Sequence, residues 1–258
     1  MGGVSVLTGT YTYSSGGCRG SHYQYAASPT GKDSKSTRKV SHADKYTYVN
    51  GTLRNKLRIK DEAELAREET ERLRSKIITT ETVSSKKLDI ELLKAIHRFL
   101  FDDLYTWAGK FRTVHIEKVE RFFIPAKSLE YPEPEYIYEP LKKELYHLNS
   151  VRWADLSQDE IAKELANRFT RIWKIHPFRD GNTRAILGFL KIFAIEHNFP
   201  MDMSVFTQIL SRPQLPNGRT GLSIRDMFVG AALKEQPEPQ YLQNVFRTAI
   251  INGSKKDK

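Results

Sequence analysis

Two long segments with apolar side chains at helical spacing flank the residues HPFRDGN (176–182), and this arrangement limits the fold more than any other feature. The upstream segment is LSQDEIAKELANRFTRIWKI and the downstream segment is TRAILGFLKIFAIEH. Their apolar positions are Ile161, Leu165, Phe169, Ile172 and Trp173 in the first, and Ile186, Leu187, Leu190, Phe193 and Ala194 in the second. Ser157 and Glu160 form a capping box before the first helix, and Pro177 stops it. The sequence therefore predicts two buried helices joined by a short polar loop.

Further segments with helical periodicity predict an all-α domain that carries one small β-hairpin. In IELLKAIHRFLFDDLY, Asp89 precedes the helix as its cap, and one face is apolar: Leu92, Leu93, Ile96, Leu100 and Leu104. Four more segments read as helices: DEAELAREETERLRSKII, EPLKKELYHLNS, SIRDMFVGAALKE and YLQNVFRTAII. The segment TVHIEKVERFFIP alternates around a polar centre at 117–121, which predicts a hairpin at 113–125.

The chain divides by composition into four regions. Residues 1–40 are rich in Gly, Ser, Thr and Tyr, and we expect a disordered, low-complexity tail. Residues 41–90 form an extension with an amphipathic helix, 90–250 form the helical domain, and 251–258 form a basic tail. With 258 residues, of which 39% are hydrophobic, the chain can bury one substantial core.

Charge and cysteine content exclude several classes of protein. The formal net charge of +10 is concentrated at the ends, chiefly in residues 32–60. The sequence has no zinc-finger or RNA-recognition signature, so we expect a solvated basic arm and no specific nucleic-acid binding. No apolar run approaches the roughly 18 residues of a membrane span. Cys18 is the single cysteine, which excludes an intrachain disulfide and a cysteine-based metal cluster.

The loop residues suit the binding of a di- or triphosphate. The second helix is expected to begin at 182–183, where unpaired N–H groups and the positive end of the helix dipole attract anions. Gly181 lets the backbone approach phosphates, the Asn182 amide can donate to them, and Arg184 can clamp their oxygens. Asp180 supplies the hard carboxylate oxygen that Mg²⁺ takes. His176 can accept a proton from an attacking hydroxyl, and we expect its side chain to contribute little packing.

This loop resembles the motif of the Fic family, His-x-Phe-x-Asp/Glu-Gly-Asn-Gly/Lys-Arg. The matching positions are His176, Phe178, Asp180, Gly181, Asn182 and Arg184. HRFLFDDLYTWAGKFR (97–112) is similar to the segment before the family's flap hairpin, and FFIPA (122–126) to the end of that flap. The resemblance therefore covers about residues 90–200 and implies a Fic-type helical domain. YTYVNGTLRNKLRIKDEAEL is also similar to Fic domains of Bartonella effector proteins, which are type IV secretion substrates.

The resemblance implies a protein adenylyltransferase that moves AMP from ATP to a Ser, Thr or Tyr hydroxyl of a target host protein. His176 would be the base and Asp180 the Mg²⁺ ligand. The nucleotide-binding residues would be Gly181, Asn182, Thr183 and Arg184. The flap would dock the target, with a host small GTPase as one candidate, through Ile116, Glu117, Lys118, Val119, Glu120, Arg121 and Phe122. Such an effector occupies the bacterial cytoplasm before secretion and the host cell cytoplasm afterwards.

Two positions depart from the family motif. Thr183 stands where many members have glycine, and Leu187 stands where many have a second arginine that grips the γ-phosphate. Two alternatives therefore stay open: a catalytically decayed module that binds host proteins, and a related phosphoryl or nucleotidyl transferase.

The resemblance also bears on control. Many Fic proteins are silenced by a helix containing Ser/Thr-x-x-x-Glu-Gly/Asn, and this sequence contains no Glu-Gly or Glu-Asn pair. We therefore expect either a separate, small antitoxin-like inhibitor or no inhibitor.

Overall fold

The computed structural model describes residues 44–83, 87–120, 127–214, 220–234 and 237–256. The predicted disordered tail at 1–40 lies outside the described residues. Within the described ranges, no helix combines the length and the apolar character that crossing a bilayer requires.

The described part of the chain is built from eight α-helices and one two-stranded hairpin. The elements are α1 (Glu62–Ile78), α2 (Ile90–Phe101), β1 (Glu117–Glu120), β2 (Lys127–Glu130), α3 (Tyr138–Asn149), α4 (Gln158–Ile175), α5 (Asn182–Glu196), α6 (Ser204–Thr207), α7 (Ile224–Ala232) and α8 (Pro239–Lys256). The predicted all-α class with one small hairpin is confirmed.

Helix α4 lies at the centre of the packing. It contacts α3, α5, α7 and α8, while α2 packs against α1 and α5. The five residues predicted to face inward from α2 and its C-terminal extension are each no more than 1% exposed. The predicted apolar stripes of α4 and α5 are also buried, apart from the half-buried Ile161. These packed faces fix α4 and α5 relative to each other, and so they position the loop between them.

The predicted helix caps are present. Ser157 and Glu160 form the reciprocal hydrogen bonds of a capping box at the start of α4. The Asp89 carboxylate accepts a hydrogen bond from the backbone N–H of Leu92, at 3.1 Å, where α2 begins. Asp61 caps α1 in the same manner. The start of each of these helices therefore follows from local side-chain chemistry.

The hairpin lies further along the chain than predicted. Residues 117–120, expected to form its polar centre, form strand β1 instead and pair antiparallel with β2. The connection between the strands falls in 121–126, outside the described residues. In this register Lys118 pairs with Leu129, which is 4% exposed. Among the strand residues whose side chains are described, Leu129 is therefore the one that packs into the core.

Helix α8 continues to Lys256 and so includes most of the predicted basic tail at 251–258. Glycine in a helix interior is usually destabilising, and Gly253 lies within α8. Its missing Cβ instead permits close packing, since a Cβ at this position would lie 1.9 Å from the carbonyl oxygen of Pro200. The Ser254 hydroxyl further donates to the Ile250 carbonyl at 3.0 Å.

Candidate active site

The loop between α4 and α5 is bounded by two residues with left-handed backbone conformation. His176 ends α4 with φ 51° and ψ 59°, and Gly181 precedes α5 with φ 76°. Pro177 disfavours the right-handed helical conformation at the residue before it, which helps to explain the turn at His176. A non-glycine residue in this conformation costs roughly 1–2 kcal/mol. The surrounding packing therefore holds the histidine in a strained turn.

The imidazole of His176 is buried, so the expectation that it contributes little packing was wrong. His176 is 3% exposed. The ring stacks on that of Tyr131, with 3.9 Å between ring centroids, and meets the edge of Trp173 at 5.3 Å. Tyr131 directly follows β2, and the hairpin stem therefore covers the histidine. These contacts fix the plane of the imidazole before any substrate arrives.

The interior of the loop is closed by Asn182. Its side-chain oxygen accepts from the Phe178 N–H at 2.9 Å, and its side-chain nitrogen donates to the Phe178 carbonyl at 2.8 Å. Asn182 is 2% exposed and Phe178 is fully buried. We expected the amide of Asn182 to donate to phosphates. The observed contacts show that this side chain holds the loop in its turn, and its contact with phosphates stays a prediction.

His97 of α2 contacts the loop through a hydrogen bond and a stacked ring. Its Nδ1 accepts from the backbone N–H of Gly109 at 2.9 Å, so Nε2 carries the hydrogen and donates to the Asp180 carbonyl at 3.0 Å. The imidazole also stacks on Phe178, with 3.8 Å between ring centroids. Burial lowers the pKa of His97 to about 4. The neutral imidazole therefore connects α2 to the backbone of the predicted metal ligand.

Arg112 connects the same loop to the hairpin. Its backbone N–H donates to the Pro177 carbonyl and its Nε to the His176 carbonyl, each at 2.8 Å. Its two terminal nitrogens donate to the carbonyls of Val114, before β1, and Pro132, after β2. Burial lowers the pKa of Arg112, but an arginine remains charged at neutral pH. One guanidinium thus holds both stems of the hairpin against the loop between α4 and α5.

Our sequence reasoning gave no role to His97 or Arg112. Both lie in residues 97–112, for which the sequence predicts the end of a helix and the chain that leaves it. A polar residue on the otherwise apolar face of α2 was the available signal for His97. For Arg112 no local pattern was available, because its acceptors come from two distant parts of the chain.

The predicted metal ligand and phosphate clamp lie side by side. One Asp180 oxygen accepts from the Gly181 N–H at 2.6 Å and lies 3.9 Å from a terminal nitrogen of Arg184. The side chains of Asp180 and Arg184 are 33% and 25% exposed. Glu69 of α1 forms an ion pair with the other terminal nitrogen of Arg184. Both predicted groups therefore face a partly open site at the start of α5.

Asp180 fits the part of a single protein ligand for Mg²⁺. Within the described residues, no group of three or more His, Cys, Asp or Glu side chains could hold a metal ion. Mg²⁺ at phosphate-transfer sites commonly takes one or two carboxylates and completes its shell with substrate phosphates and water. One accessible carboxylate beside a helix N-terminus meets that requirement.

The two departures from the motif lie in different surroundings. The Thr183 hydroxyl, in the first turn of α5, accepts a hydrogen bond from the indole nitrogen of Trp173 at 2.9 Å. Leu187 is 7% exposed and lines a mostly apolar cavity of about 230 Å³ together with Ile77 and Met203, and Arg184 and Lys191 lie at the same cavity. The position of the expected second arginine is therefore part of an apolar wall.

The structure separates the predicted docking residues into three groups. Ile116 is 6% exposed and belongs to the core, so it is not available to dock a target. Glu117 is exposed, and residues 117–120 form β1, whose backbone pairs with β2. Arg121 and Phe122 lie outside the described residues. The candidate docking element is therefore the strand itself.

Residues 87–194 match the model of the Fic/DOC family. The chain is 33% identical over 154 residues to protein adenylyltransferase VbhT of Bartonella schoenbuchensis. This match covers 59% of the chain and 30% of VbhT, so the chain spans less than a third of that relative. It is 32% identical over 155 residues to the probable protein adenylyltransferase y4lH of Sinorhizobium fredii, covering 59% of the chain and 75% of the relative.

A solved structure has the same architecture. The N-terminal FIC domain of Bep8, a VirB-translocated effector protein of Bartonella sp. 1-1C, superimposes with a TM-score of 0.61 at 25% identity. The match covers 81% of this chain and 95% of the Bep8 chain. The similarity therefore extends well beyond the motif loop, into the helices that carry it.

Proposed function

Because the chain belongs to the Fic/DOC family, we propose that it is a protein adenylyltransferase that transfers AMP from ATP to a hydroxyl group of a target protein. One observation carries this proposal. A single loop brings a fixed imidazole, His176, together with the partly exposed Asp180 and Arg184 at the N-terminus of α5. The names of the relatives VbhT and y4lH support the same activity.

In the proposed reaction, His176 removes the proton from a Ser, Thr or Tyr hydroxyl as the hydroxyl oxygen attacks the α-phosphorus of ATP. The new bond joins that oxygen to phosphorus, and the bond to the β-phosphate bridging oxygen breaks, so pyrophosphate leaves. N–H groups in the first turn of α5 and the Arg184 guanidinium hold the phosphates. Asp180 would hold Mg²⁺, which neutralises charge on the phosphates and on the leaving pyrophosphate.

The hairpin is the proposed docking element for the target. Strand β1 pairs with β2 along one edge, and its other edge has no strand partner within the described residues, so an extended segment of a target would pair there by β-augmentation. Arg112 holds the stems of this hairpin against the catalytic loop, which would keep a docked hydroxyl in line with His176. The charged residue Glu117 is exposed at the start of the strand and supports binding to a charged surface, such as that of a host small GTPase.

The setting of the reaction and its control are also proposals. The chain resembles effector Fic domains, which supports delivery from the bacterial cytoplasm into the host cytoplasm by type IV secretion. A small antitoxin-like protein is the proposed inhibitor, since the sequence lacks the Glu-Gly or Glu-Asn pair of the self-inhibiting helix.

The test uses ATP labelled at the α- or the γ-phosphate, incubated with the chain and a host-cell lysate. We expect label from the α position on a lysate protein, and loss of that label in His176→Ala. Loss of a general base usually lowers the rate about 10²–10⁴-fold. Because the imidazole is buried, the melting temperature and nucleotide affinity of this variant must be measured, so that lost packing is not mistaken for lost chemistry.

A second reaction is favoured by one observation. Leu187 places an apolar wall where many family members have a second arginine, so orientation of ATP for α-phosphate attack lacks that cation. Label transferred only from the γ position would indicate phosphoryl transfer. Absence of transfer from either position, with nucleotide binding retained, would indicate a binding module whose catalysis has decayed.

A further inference from the structure

The arginine proposed to clamp the nucleotide is held by a residue from outside the segment that matches the family model. Glu69 lies in α1, whereas that match begins at residue 87. Its Oε1 forms an ion pair with one terminal nitrogen of Arg184. The guanidinium also lies over the ring of Phe101, at 4.9 Å from the ring centroid. Arg184 is therefore oriented on two sides by the protein.

The Glu69 carboxylate is itself fixed. Its second oxygen accepts a hydrogen bond from the Tyr105 hydroxyl at 2.8 Å, and Tyr105 is fully buried. Burial raises the pKa of Tyr105, and the charge of Glu69 raises it further, so the phenol remains a protonated donor. With both oxygens engaged, Glu69 differs from an exposed surface glutamate, whose ion pairs contribute little.

Helix α1 is secured at the same place. Arg72 and Lys76, one and two turns beyond Glu69, pair with the carboxylate of Asp103 just after α2. These pairs lie on the side of α1 that faces α2. They keep Glu69 from moving away from the loop, so its contact with Arg184 is a property of the packed helix pair.

A carboxylate beside a phosphate clamp can either orient the clamp or occupy the place of the phosphate. The exposure of the two side chains favours the first arrangement. The Glu69 side chain is 13% exposed, whereas that of Arg184 is 25% exposed. Glu69 therefore lies on the protein side of the guanidinium, while a nucleotide arrives from solvent. A guanidinium has five N–H donors, more than the two oxygens of the Glu69 carboxylate can accept, so donors remain for a ligand.

We propose that Glu69 is a positioning residue of the nucleotide site: supported by Tyr105, it sets the direction of the Arg184 guanidinium toward the phosphates. This inference rests on the proposed function, in that the ligand of Arg184 is a nucleotide phosphate. It makes the N-terminal extension part of the active site. The loop and helices within 87–194 would hold a less ordered clamp without α1.

The test compares Glu69→Gln with a matched control, Asp44→Asn. Asp44 also belongs to the N-terminal extension, and its carboxylate accepts two hydrogen bonds from Arg179 of the same loop, at 3.0 and 3.2 Å. Both changes replace a carboxylate by an amide opposite an arginine, Arg179 of the loop in one case and Arg184 of α5 in the other. Binding of the non-hydrolysable analogue AMPPNP with Mg²⁺ is measured by calorimetry on the full chain.

We expect Glu69→Gln to weaken AMPPNP binding about tenfold, which corresponds to the loss of one charge-assisted hydrogen bond. Asp44→Asn should leave the affinity within about twofold, and Tyr105→Phe should weaken binding in the same direction as Glu69→Gln but less strongly. In a chain carrying Arg184→Gln, the Glu69→Gln change should have no further effect, since the two residues act as a pair.

The following results would overturn the inference. Unchanged or tighter binding by Glu69→Gln would mean that the carboxylate does not orient the clamp or that it obstructs the site. An undiminished effect in the Arg184→Gln chain would mean that Glu69 acts through general stability. If Glu69→Gln fails to fold, Tyr105→Phe is measured in its place, both in the unaltered chain and in the Arg184→Gln chain. An equal loss of AMPPNP affinity in the two chains would then overturn the inference.

The binding readout separates this inference from the proposed reaction. A chain that binds AMPPNP through the Glu69–Arg184 pair but transfers no label from ATP would disprove adenylyl transfer and leave the inference standing. If the chain transfers label from ATP but Glu69→Gln leaves AMPPNP affinity unchanged, the inference is disproved and adenylyl transfer stands. A chain without nucleotide affinity would contradict both.

Discussion

Lowering the pH should destabilise this fold through one buried imidazole, that of His97. Both ring nitrogens are engaged, one as acceptor from the Gly109 N–H and the other as donor to the Asp180 carbonyl. A protonated ring would have to donate from both nitrogens, and the N–H of Gly109 would then face another donor. Burial lowers the pKa of His97 from its ordinary 6.5 to about 4.

The size of the effect follows from that difference in pKa. Between pH 6.5 and 4 the unfolded chain binds the proton and the folded chain does not, so stability falls as the pH falls. At about 1.4 kcal/mol per pKa unit, the full loss is about 3 kcal/mol, and about 2 kcal/mol is lost by pH 5. Above pH 6.5 the ring is neutral in both states and its contribution is constant.

Urea unfolding at pH 7.5 and pH 5, with EDTA and without nucleotide, measures this effect in the absence of a bound cation. The comparison is with His97→Gln, whose amide can donate and accept but does not titrate in this range. Carboxylates elsewhere titrate equally in both proteins, so the unaltered chain should lose about 2 kcal/mol more than the variant between the two values. Equal losses in the two proteins would refute the assignment of a buried, neutral His97.

Three further changes probe the loop. Transfer should require Mg²⁺ or Mn²⁺ and should not be restored in Asp180→Ala at moderate metal concentration, whereas full activity in EDTA would contradict the metal role. Gly181→Ala should lower the free energy of unfolding by about 2 kcal/mol or more, since its φ is 76° and a Cβ would lie 2.4 Å from the Phe101 ring; an equally stable variant in urea unfolding would disprove this. Trp173→Phe removes the indole donor and should weaken AMPPNP binding in the unaltered chain, but not in a Thr183→Gly chain, which lacks the acceptor. Calorimetry measures both affinities, and equal effects of Trp173→Phe in the two chains would show that the indole hydrogen bond is irrelevant to the site.

The parts of the structure that the sequence predicted are those set by neighbouring residues. The capping box of Ser157 and Glu160 lies within one helical turn, and the apolar stripe of α2 repeats over a few turns. The start of α5 at Asn182 likewise follows from the preceding Gly181. Such signals need no knowledge of the rest of the fold, and all of them were confirmed.

The contacts that support the loop could not be predicted in the same way, because they join residues far apart in the chain. His97 meets Asp180 across 83 positions, and Arg112 meets His176 across 64. No periodicity relates such pairs. The burial of His176 was missed for the same reason, since Tyr131, which covers it, comes from the end of the hairpin.

If the proposed nucleotide site is correct, the two departures from the family motif would act in opposite directions on phosphate recognition. Leu187 replaces a cation by an apolar wall, whereas Thr183 adds a hydroxyl in the first turn of α5. The indole of Trp173 can only donate, so the Thr183 oxygen accepts from it, and the hydroxyl hydrogen remains for another acceptor. We infer that recognition of the phosphates is concentrated at the start of α5. Arg184 is then the motif arginine left to hold them, and its fixed direction, set by Glu69, matters more here than in a protein where a second arginine shares that task.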